Sequence, residues 1–273
     1  MDPTFIVSFA ALGAFVGFAA GLLGIGGGMI LVPFLNFLLP MLGVPPLIAV
    51  HAAIATAMAT IIFTSVSSMR AHHAHGAIRW DIVRLMVPGL LIGGLLSGGA
   101  VFAHVNGLVL AVIFALFVVY SAAKMFRNAP PPVGGKLPKP WAITGFGGVV
   151  GFVSGLLGAG GGFLSVPFMV RAHIAMPKAI ATSAALGFFI AVGNGIGYVW
   201  SGAEYTSVEN GMLGYVYWPA LIILTAMSML TAPWGAKLAH RLPVKVLKRI
   251  FASMLLILAV QMLIETIRVH MGA

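Results

Sequence analysis

Long apolar stretches recur along the chain and are separated by short polar or glycine-rich segments. Several run for about 20 residues, the length of helix that spans the hydrocarbon core of a bilayer. They do not alternate apolar and polar positions over about ten residues, as the strands of a membrane β-barrel do. The pattern therefore predicts an all-α polytopic membrane protein with about eight full transmembrane helices and two short segments. The ten segments lie at 4–22, 29–40 (short), 46–69, 82–103, 106–126, 141–157, 163–172 (short), 177–200, 214–236 and 243–268.

The two halves of the chain repeat one another. GLLGIGGGMILVPF (21–34) returns as GLLGAGGGFLSVPF (155–168), and each is followed by a helix that begins at a proline, Pro46 or Pro177. Two shorter matches follow in the same order, GAIRW with GYVYW and VLAVIFA with VLKRIFA. Internal repeats are typical of membrane transporters. The sequence predicts three regions: a first membrane repeat at 1–127, a Pro/Gly cytoplasmic linker at 128–140 and a second membrane repeat at 141–273.

Composition agrees with this class of protein. Hydrophobic residues make up 60% of the chain and charged residues 7%, whereas soluble domains carry about 25% charged residues. The chain has no cysteines, which excludes disulfides and thiolate metal sites. The net charge of +10 would suggest a nucleic-acid partner in a soluble protein, but here its meaning depends on where the charges lie relative to the membrane.

The placement of the 15 lysines and arginines predicts a topology. If each half crosses the membrane an odd number of times, with the short segment counted as a crossing, all of them except Arg268 lie on one side. If the short segments are re-entrant instead, the basic loops divide between both sides. The first arrangement obeys the positive-inside rule better. We therefore predict two inverted-topology repeats with discontinuous helices, cytoplasmic basic loops and both termini outside.

The duplicated GLLGxGGG loops are the strongest candidate for a substrate site. Glycine inside a helix costs about 1 kcal/mol relative to alanine, and non-helical backbone at membrane depth persists only where protein or a water-filled cavity covers it. Each loop opens a short helix, whose free N–H groups and positive dipole end attract anions. The alternative is that these glycines only allow close helix packing. If the loops bind the substrate, the predicted substrate-binding residues are Gly26, Gly27, Gly28, Gly160, Gly161 and Gly162.

Polar side chains within the apolar segments are further candidates for this site. An intramembrane histidine can carry a proton or bind an oxyanion, hydroxyls can donate to anion oxygens, and arginine binds oxyanions with two parallel hydrogen bonds. The alternatives are structural hydrogen bonds within or between helices and a positive-inside anchor for the arginine. In the repeat, Thr182 and Ser183 take the place of His51 and Ala52. The candidates are His51, Thr56, Thr182, Ser183, Asn194 and Arg171.

These motifs resemble one known family. The duplicated GLLGxGGGxxxVPF units, each followed by a Pro-led helix with a small or polar stretch such as 181–183, are similar to the sulfite exporter TauE/SafE family. The family consists of membrane transporters for sulfur-containing anions. The resemblance implies a secondary transporter that exports sulfite or an organosulfonate such as sulfoacetate across the bacterial cytoplasmic (inner) membrane by alternating access.

Two other classes of function were weighed. A passive anion channel fits the repeat equally, and only saturation and counterflow separate it from a carrier. An intramembrane enzyme is disfavoured because HExxH, GxSxG and paired intramembrane aspartates are missing. The chain has no P-loop, and its histidines at 72, 73 and 75 match no compact metal site.

We expect a small anion and the lipid bilayer as partners, with no nucleic acid, cofactor or metal. Proton coupling through His51 and a homodimer are left open.

Overall fold

The computed structural model describes residues 2–23, 27–127, 137–207, 209–239 and 244–271. Within these ranges almost all of the chain is helical. Ten helices follow one another as α1 (Pro3–Leu23), α2 (Gly28–Leu38), α3 (Ala49–Ala74), α4 (Trp80–Leu95), α5 (Gly107–Arg127), α6 (Pro140–Leu157), α7 (Gly162–Arg171), α8 (Met176–Ser201), α9 (Trp218–Ala239) and α10 (Val244–Met271). The candidate residue Gly26 and the linker residues 128–136 lie outside the described residues.

The helices have the lengths and surfaces that a bilayer requires. Seven helices of the described chain are long and apolar enough to cross a membrane, namely α1, α3, α4, α5, α6, α8 and α10. α2 and α7 are the two short apolar helices that the sequence predicts. α9 accounts for the difference from the predicted eight, because its described apolar stretch, Trp218–Trp234, belongs to the shorter class. Large apolar side chains such as Trp141 and Ile257 face outward, as lipid contact demands. The prediction of an all-α polytopic membrane protein is confirmed.

α3 and α8 form the centre of the molecule and pack against each other. Around them α1 packs along α9, α4 along α6 and α5 along α10. α2 rests on α3 and α7 on α8, while α4 contacts α8 and α9 contacts α3. When each helix is exchanged for the one five places along the chain, α1 for α6 and so on, the contacts α3–α8 and α5–α10 stay the same and every other contact becomes another of the set. The inverted topology of the repeats stays a prediction.

A small hairpin replaces the first turn of one predicted segment. The sequence predicts a segment at 214–236, whereas α9 begins at Trp218. The residues before it form an antiparallel pair of two-residue strands, β1 (Met212–Leu213) and β2 (Val216–Tyr217). The backbone N–H of Tyr217 donates a 2.9 Å hydrogen bond to the hydroxyl of Thr56 on α3. The apolar pattern alone could not reveal this partner, because it lies 161 residues away.

The contacts between helix ends gather into two groups. In the first group, which we call the hairpin end, the ring of His51 at the start of α3 stacks on Tyr215, with centroids 5.2 Å apart. In the second, the basic end, the N–H of Arg79 before α4 donates to Thr182 at the start of α8 over 3.0 Å. The start of α8 therefore lies beside the start of α4, and the start of α3 lies beside the loop that leads into α9.

Candidate functional site

The second glycine loop has a backbone that only glycine adopts easily. α6 ends at Gly158, which has φ +61°, and Gly161 before α7 has φ +73°. These values lie in the left-handed region, which disfavours residues with a Cβ. Four residues, 158–161, separate α6 from α7, which begins at Gly162. The glycines therefore serve to break the helix, as the sequence predicts for these loops.

The two glycine loops touch each other inside the molecule. A Cβ built on Gly28, the first residue of α2, would overlap the carbonyl oxygen of Gly158. Gly28 is buried, so the contact is closed off from the outside. The first turn of α2 and the loop before α7 are thus neighbours, although about half the chain separates them.

In the part of the chain that the structure describes, no side chain caps the amino end of either short helix. Gly27 precedes α2 and Gly161 precedes α7, and neither position supplies a capping hydrogen bond. Each first turn also lacks an acidic residue. The first N–H groups of a helix have no partner within the helix and carry its positive dipole end. An anion can satisfy both features at once.

A cavity of about 170 Å³ lies against both loops. It is bounded by α1, α3, α8 and α9 and reaches Gly27, Gly160 and Gly162. One water needs about 10–15 Å³ of such space, so there is room for several waters or one small anion. The hydroxyl-bearing side chains that line it are Thr60, Thr64, Ser65, Ser68, Ser183 and Ser228.

A chain of hydroxyls connects this cavity to the amino end of α7. The hydroxyl of Ser165 lies 3.1 Å from the carbonyl oxygen of Gly161, to which it can donate. Ser183 lies 2.8 Å from Ser165, and either hydroxyl can be the donor. When Ser165 donates to Ser183, the proton of Ser183 is free for a ligand. Ser183 therefore holds the first turn of α7 in place and presents its oxygen to the cavity. A Cβ on Gly162 would lie 3.1 Å from that oxygen.

The hydroxyls on α3 differ in how they are bound. Thr60 donates to the carbonyl of Thr56, and Thr64 to the carbonyl of Thr60, so both are held by their own helix. Ser65 and Ser68 make no hydrogen bond to any described residue and are available to a ligand. Among the described residues, no lysine or arginine lines the cavity. His72 is the one titratable side chain among the described residues that line it.

His51 lies away from the cavity, in an aromatic cluster at the hairpin end. Its Nε2 donates to the carbonyl oxygens of Val105 and Phe102 at 2.9 and 3.2 Å, so that nitrogen carries the proton. Its buried Nδ1 has no partner among the described residues. Burial, and to a lesser degree the neighbouring Tyr205 and Glu204, raises the pKa of the stacked Tyr215 to about 12, which keeps this phenol neutral at physiological pH.

Thr56 and Thr182 are equivalent to each other by their contacts. Each accepts a backbone N–H from the residue before a tryptophan that begins a helix, Tyr217 before α9 or Arg79 before α4. The sequence aligns Thr182 with His51, but these bonds pair it with Thr56, which shares its AIAT tetrapeptide, 53–56 and 179–182. The alignment that starts from the leading prolines is displaced by five residues, because AIAT begins seven residues after Pro46 but two residues after Pro177. Neither threonine lines the cavity.

Asn194 bridges two helices instead of facing the cavity. Its amide nitrogen donates to the carbonyls of Gly151 on α6 and Ile190 on α8, at 3.2 and 2.9 Å. It is fully buried beside the π-helical turn that follows α4. Its oxygen and the hydroxyl of Ser97 in that turn are unpartnered within the described chain. These bonds favour the alternative in which Asn194 bridges helices over a place in the substrate site.

Arg171 is also remote from the cavity. It lies in the last turn of α7 and lines a separate pocket with Lys124. Of the predicted site residues, the structure brings together Gly27, Gly160, Gly162 and Ser183 around the cavity, with Gly28 and Gly161 directly behind them. The described residues contain no group of three or more histidines, aspartates or glutamates that could hold a metal ion.

The sequence reasoning missed most of the hydroxyls on α3. Thr60, Thr64 and Ser68 recur every four residues, which places them along one helix face. That spacing was the available signal. It is weak by itself, because threonine and serine in apolar helices commonly bond to their own backbone, as Thr60 and Thr64 do here.

Comparison with known proteins agrees with this arrangement. The profile of the family described as "Sulfite exporter TauE/SafE" matches residues 9–262. The chain belongs to this family. It is 35% identical to a "Probable membrane transporter protein" of Haemophilus influenzae over 96% of this chain and 99% of that one. It is 26% identical to probable membrane transporter proteins of Methanocaldococcus jannaschii, over 93% of each chain, and of Bacillus subtilis, over 96% of this chain and 98% of the other. No solved structure matches the chain.

The family and the relatives' names support a transporter rather than an enzyme, and a multi-pass membrane protein. The resemblance inferred from the GLLGxGGG repeats is therefore confirmed over nearly the whole chain. The glycine loops that carry it are also the loops that meet at the cavity. Family membership and geometry thus direct attention to the same part of the molecule.

Proposed function

We propose that this TauE/SafE protein is a secondary transporter that exports sulfite or a small organosulfonate, such as sulfoacetate, across the cytoplasmic membrane by alternating access. The observation that carries the proposal is the hydroxyl-lined cavity at the uncapped amino ends of the two short helices. Discontinuous helices that direct their amino ends at an anionic group are a known feature of secondary transporters.

The chemistry of the cavity fits a small anion of low charge. Helix amino ends and neutral hydroxyls attract an oxyanion without the strong pairing that a buried arginine would give. A site of this kind releases its ligand readily, as transport requires. We propose that Ser183, Ser65 and Ser68 donate to the anion's oxygens, with Gly160 and Gly162 allowing the anion to approach the backbone.

The two ends of the molecule support an inward-open state. The cavity extends along α3 from Thr60 to His72, in the last turn before a basic loop. At the other end of α3, the side chains of His51, Phe102 and Tyr215 pack together and are buried. We propose that this cluster is the closed outer gate. Proton coupling through His51 stays a prediction.

Counterflow in proteoliposomes tests the function. Vesicles containing the purified protein are loaded with one unlabelled anion, and uptake of the labelled form is followed for sulfite, sulfoacetate, taurine, sulfate and chloride. We expect saturable counterflow for sulfite or one of the sulfonates. Flux that does not saturate and shows no counterflow would indicate a channel. If folded protein exchanges none of the sulfur anions, the proposed substrate class is wrong.

A further inference from the structure

A second pocket, with two cations at its rim, opens on the outside of the helix bundle. It lies between α5, α6 and α7 and has a volume of about 380 Å³. Lys124 and Arg171 contribute its charges. It shares no lining residue with the central cavity, so it is a distinct site and not the mouth of the transport path.

Both cations are free to bind an anionic group. Both side chains are exposed, and the one salt bridge found among the described residues joins Arg79 to Asp81 instead. The ammonium of Lys124 lies 5.9 Å from the centre of the Tyr120 ring, a cation–π contact that leaves its hydrogen-bond donors available. Among the described residues, no carboxylate lines the pocket.

The remaining wall of the pocket is apolar. Phe146 and Phe168 stack with their centroids 4.2 Å apart, and Phe163 and Leu164 extend the same wall. Tyr120, at the rim, is 59% exposed. A free hydrated anion gains nothing from such a wall, whereas the glycerol and first acyl carbons of a phospholipid would be buried against it.

A matching pocket at the other end of the molecule has no excess charge. It lies between α2 and α10, the counterparts of α7 and α5, and has a volume of about 290 Å³. Its charged residues are Glu265 and Arg268, which cancel. The fold thus provides two pockets between equivalent helices, of which one carries a net positive charge.

We propose that the pocket of Lys124 and Arg171 binds the headgroup of an anionic phospholipid, with its acyl chains against the phenylalanine wall. Basic pockets between transmembrane helices on the cytoplasmic side bind such headgroups. The two cations form hydrogen bonds to the phosphate oxygens, with Arg171 able to form two in parallel. The site is independent of the transported anion.

Native mass spectrometry with added lipid tests the proposal. The purified full-length protein is titrated with phosphatidylglycerol and with phosphatidylethanolamine, and bound lipid is counted. The wild type is expected to retain phosphatidylglycerol preferentially. Each charge near a membrane surface contributes about fivefold in affinity. The double variant that combines Lys124→Gln with Arg171→Gln should therefore bind phosphatidylglycerol about 25-fold more weakly. Lys124→Arg should keep the wild-type affinity, and Arg268→Gln in the neutral pocket should not lower it.

Three results would overturn the proposal. The first is unchanged phosphatidylglycerol binding in a folded double variant. The second is equal retention of the two lipids by the wild type. The third is displacement of the lipid by glycerol 3-phosphate at equal concentration, since the apolar wall would then contribute nothing and the site would bind a free anion. An unaltered melting temperature of the double variant, relative to the wild type, verifies that it is folded.

Discussion

At the scale of single residues, one serine distinguishes the two halves of the candidate site. Ser183 presents its oxygen to the cavity and shares a hydrogen bond with Ser165, which lies within hydrogen-bonding distance of the residue before α7. By the alignment of the AIAT tetrapeptides, the counterpart of Ser183 on α3 is Ala57. The hydroxyl chain therefore exists only beside the second glycine loop, and we infer that the anion binds nearer to α7 than to α2.

Replacing this serine tests that inference. Ser183→Ala removes one donor to the anion and loosens Ser165. A hydrogen bond to a charged group contributes about 1.5–3 kcal/mol, so the half-saturating anion concentration in counterflow should rise about 10- to 100-fold. Ser253→Ala, an exposed serine on α10, is the control and should transport like the wild type. Unchanged saturation in Ser183→Ala would place the anion elsewhere.

Replacement of two loop glycines by alanine should have different effects, one on stability and the other on transport. At Gly160 the nearest atom to an added Cβ is 3.8 Å away, so Gly160→Ala should fold normally while narrowing the cavity. At Gly28 the added Cβ would overlap the carbonyl oxygen of Gly158, and overpacking of this kind costs about 1–3 kcal/mol. We expect a lower melting temperature for Gly28→Ala only, and reduced counterflow at an unchanged melting temperature for Gly160→Ala. The reverse order would contradict the loop contact.

At the scale of elements, α3 and α8 fix the ends of other helices through matched threonines. Thr56 holds the strand before α9, and Thr182 holds the turn before α4. Each bond connects one half of the chain to the other, across 161 and 103 residues. The two halves are therefore bound together by polar contacts at both ends, in addition to the apolar packing between them.

The two threonine bonds should differ in strength. Thr56 is fully buried, so Thr56→Val leaves the N–H of Tyr217 without a partner and should cost about 1–3 kcal/mol. Thr182 is buried as well, but its partner Arg79 is only partly buried. We expect water to reach the N–H of Arg79 when the hydroxyl is removed, so Thr182→Val should cost less. Thermal unfolding in one detergent measures both, with Thr56→Ser and Thr182→Ser as controls that keep the hydroxyl. An equal or reversed ranking would be evidence against this account.

The apolar pattern predicted the helices well because bilayer thickness fixes their length and the surrounding lipid fixes their surface. It succeeded for α2 and α7 because prolines and glycines mark their limits. It failed for residues such as Thr56, Thr182 and Asn194, whose partners lie on distant helices and leave no local signal. The same holds for the β1–β2 hairpin, which depends on Thr56. Ser183 was a candidate because its hydroxyl belongs to the polar stretch 181–183 on the helix that follows the second glycine loop.

At the scale of the whole molecule, the contacts between ends bear on the topology. With re-entrant short helices, Arg79 and Thr182 would lie on opposite sides of the membrane, as would His51 and Tyr215. Both pairs are in contact. Lys124 and Arg171 would also be separated, yet they line one pocket. These contacts support an odd number of crossings in each half and hence inverted repeats, with the basic loops at one end.

The absence of native cysteines makes this topology directly measurable. Single substitutions at exposed loop positions provide the probes: Lys139→Cys and Lys178→Cys at the basic end, and Glu204→Cys and Glu209→Cys near the hairpin. Because lysine- and arginine-rich loops stay in the cytoplasm, a membrane-impermeant maleimide added to intact cells should label the two glutamate positions. The lysine positions should react only after the cells are opened. Labelling of all four positions in intact cells, or of one from each pair, would be incompatible with the proposed inverted arrangement.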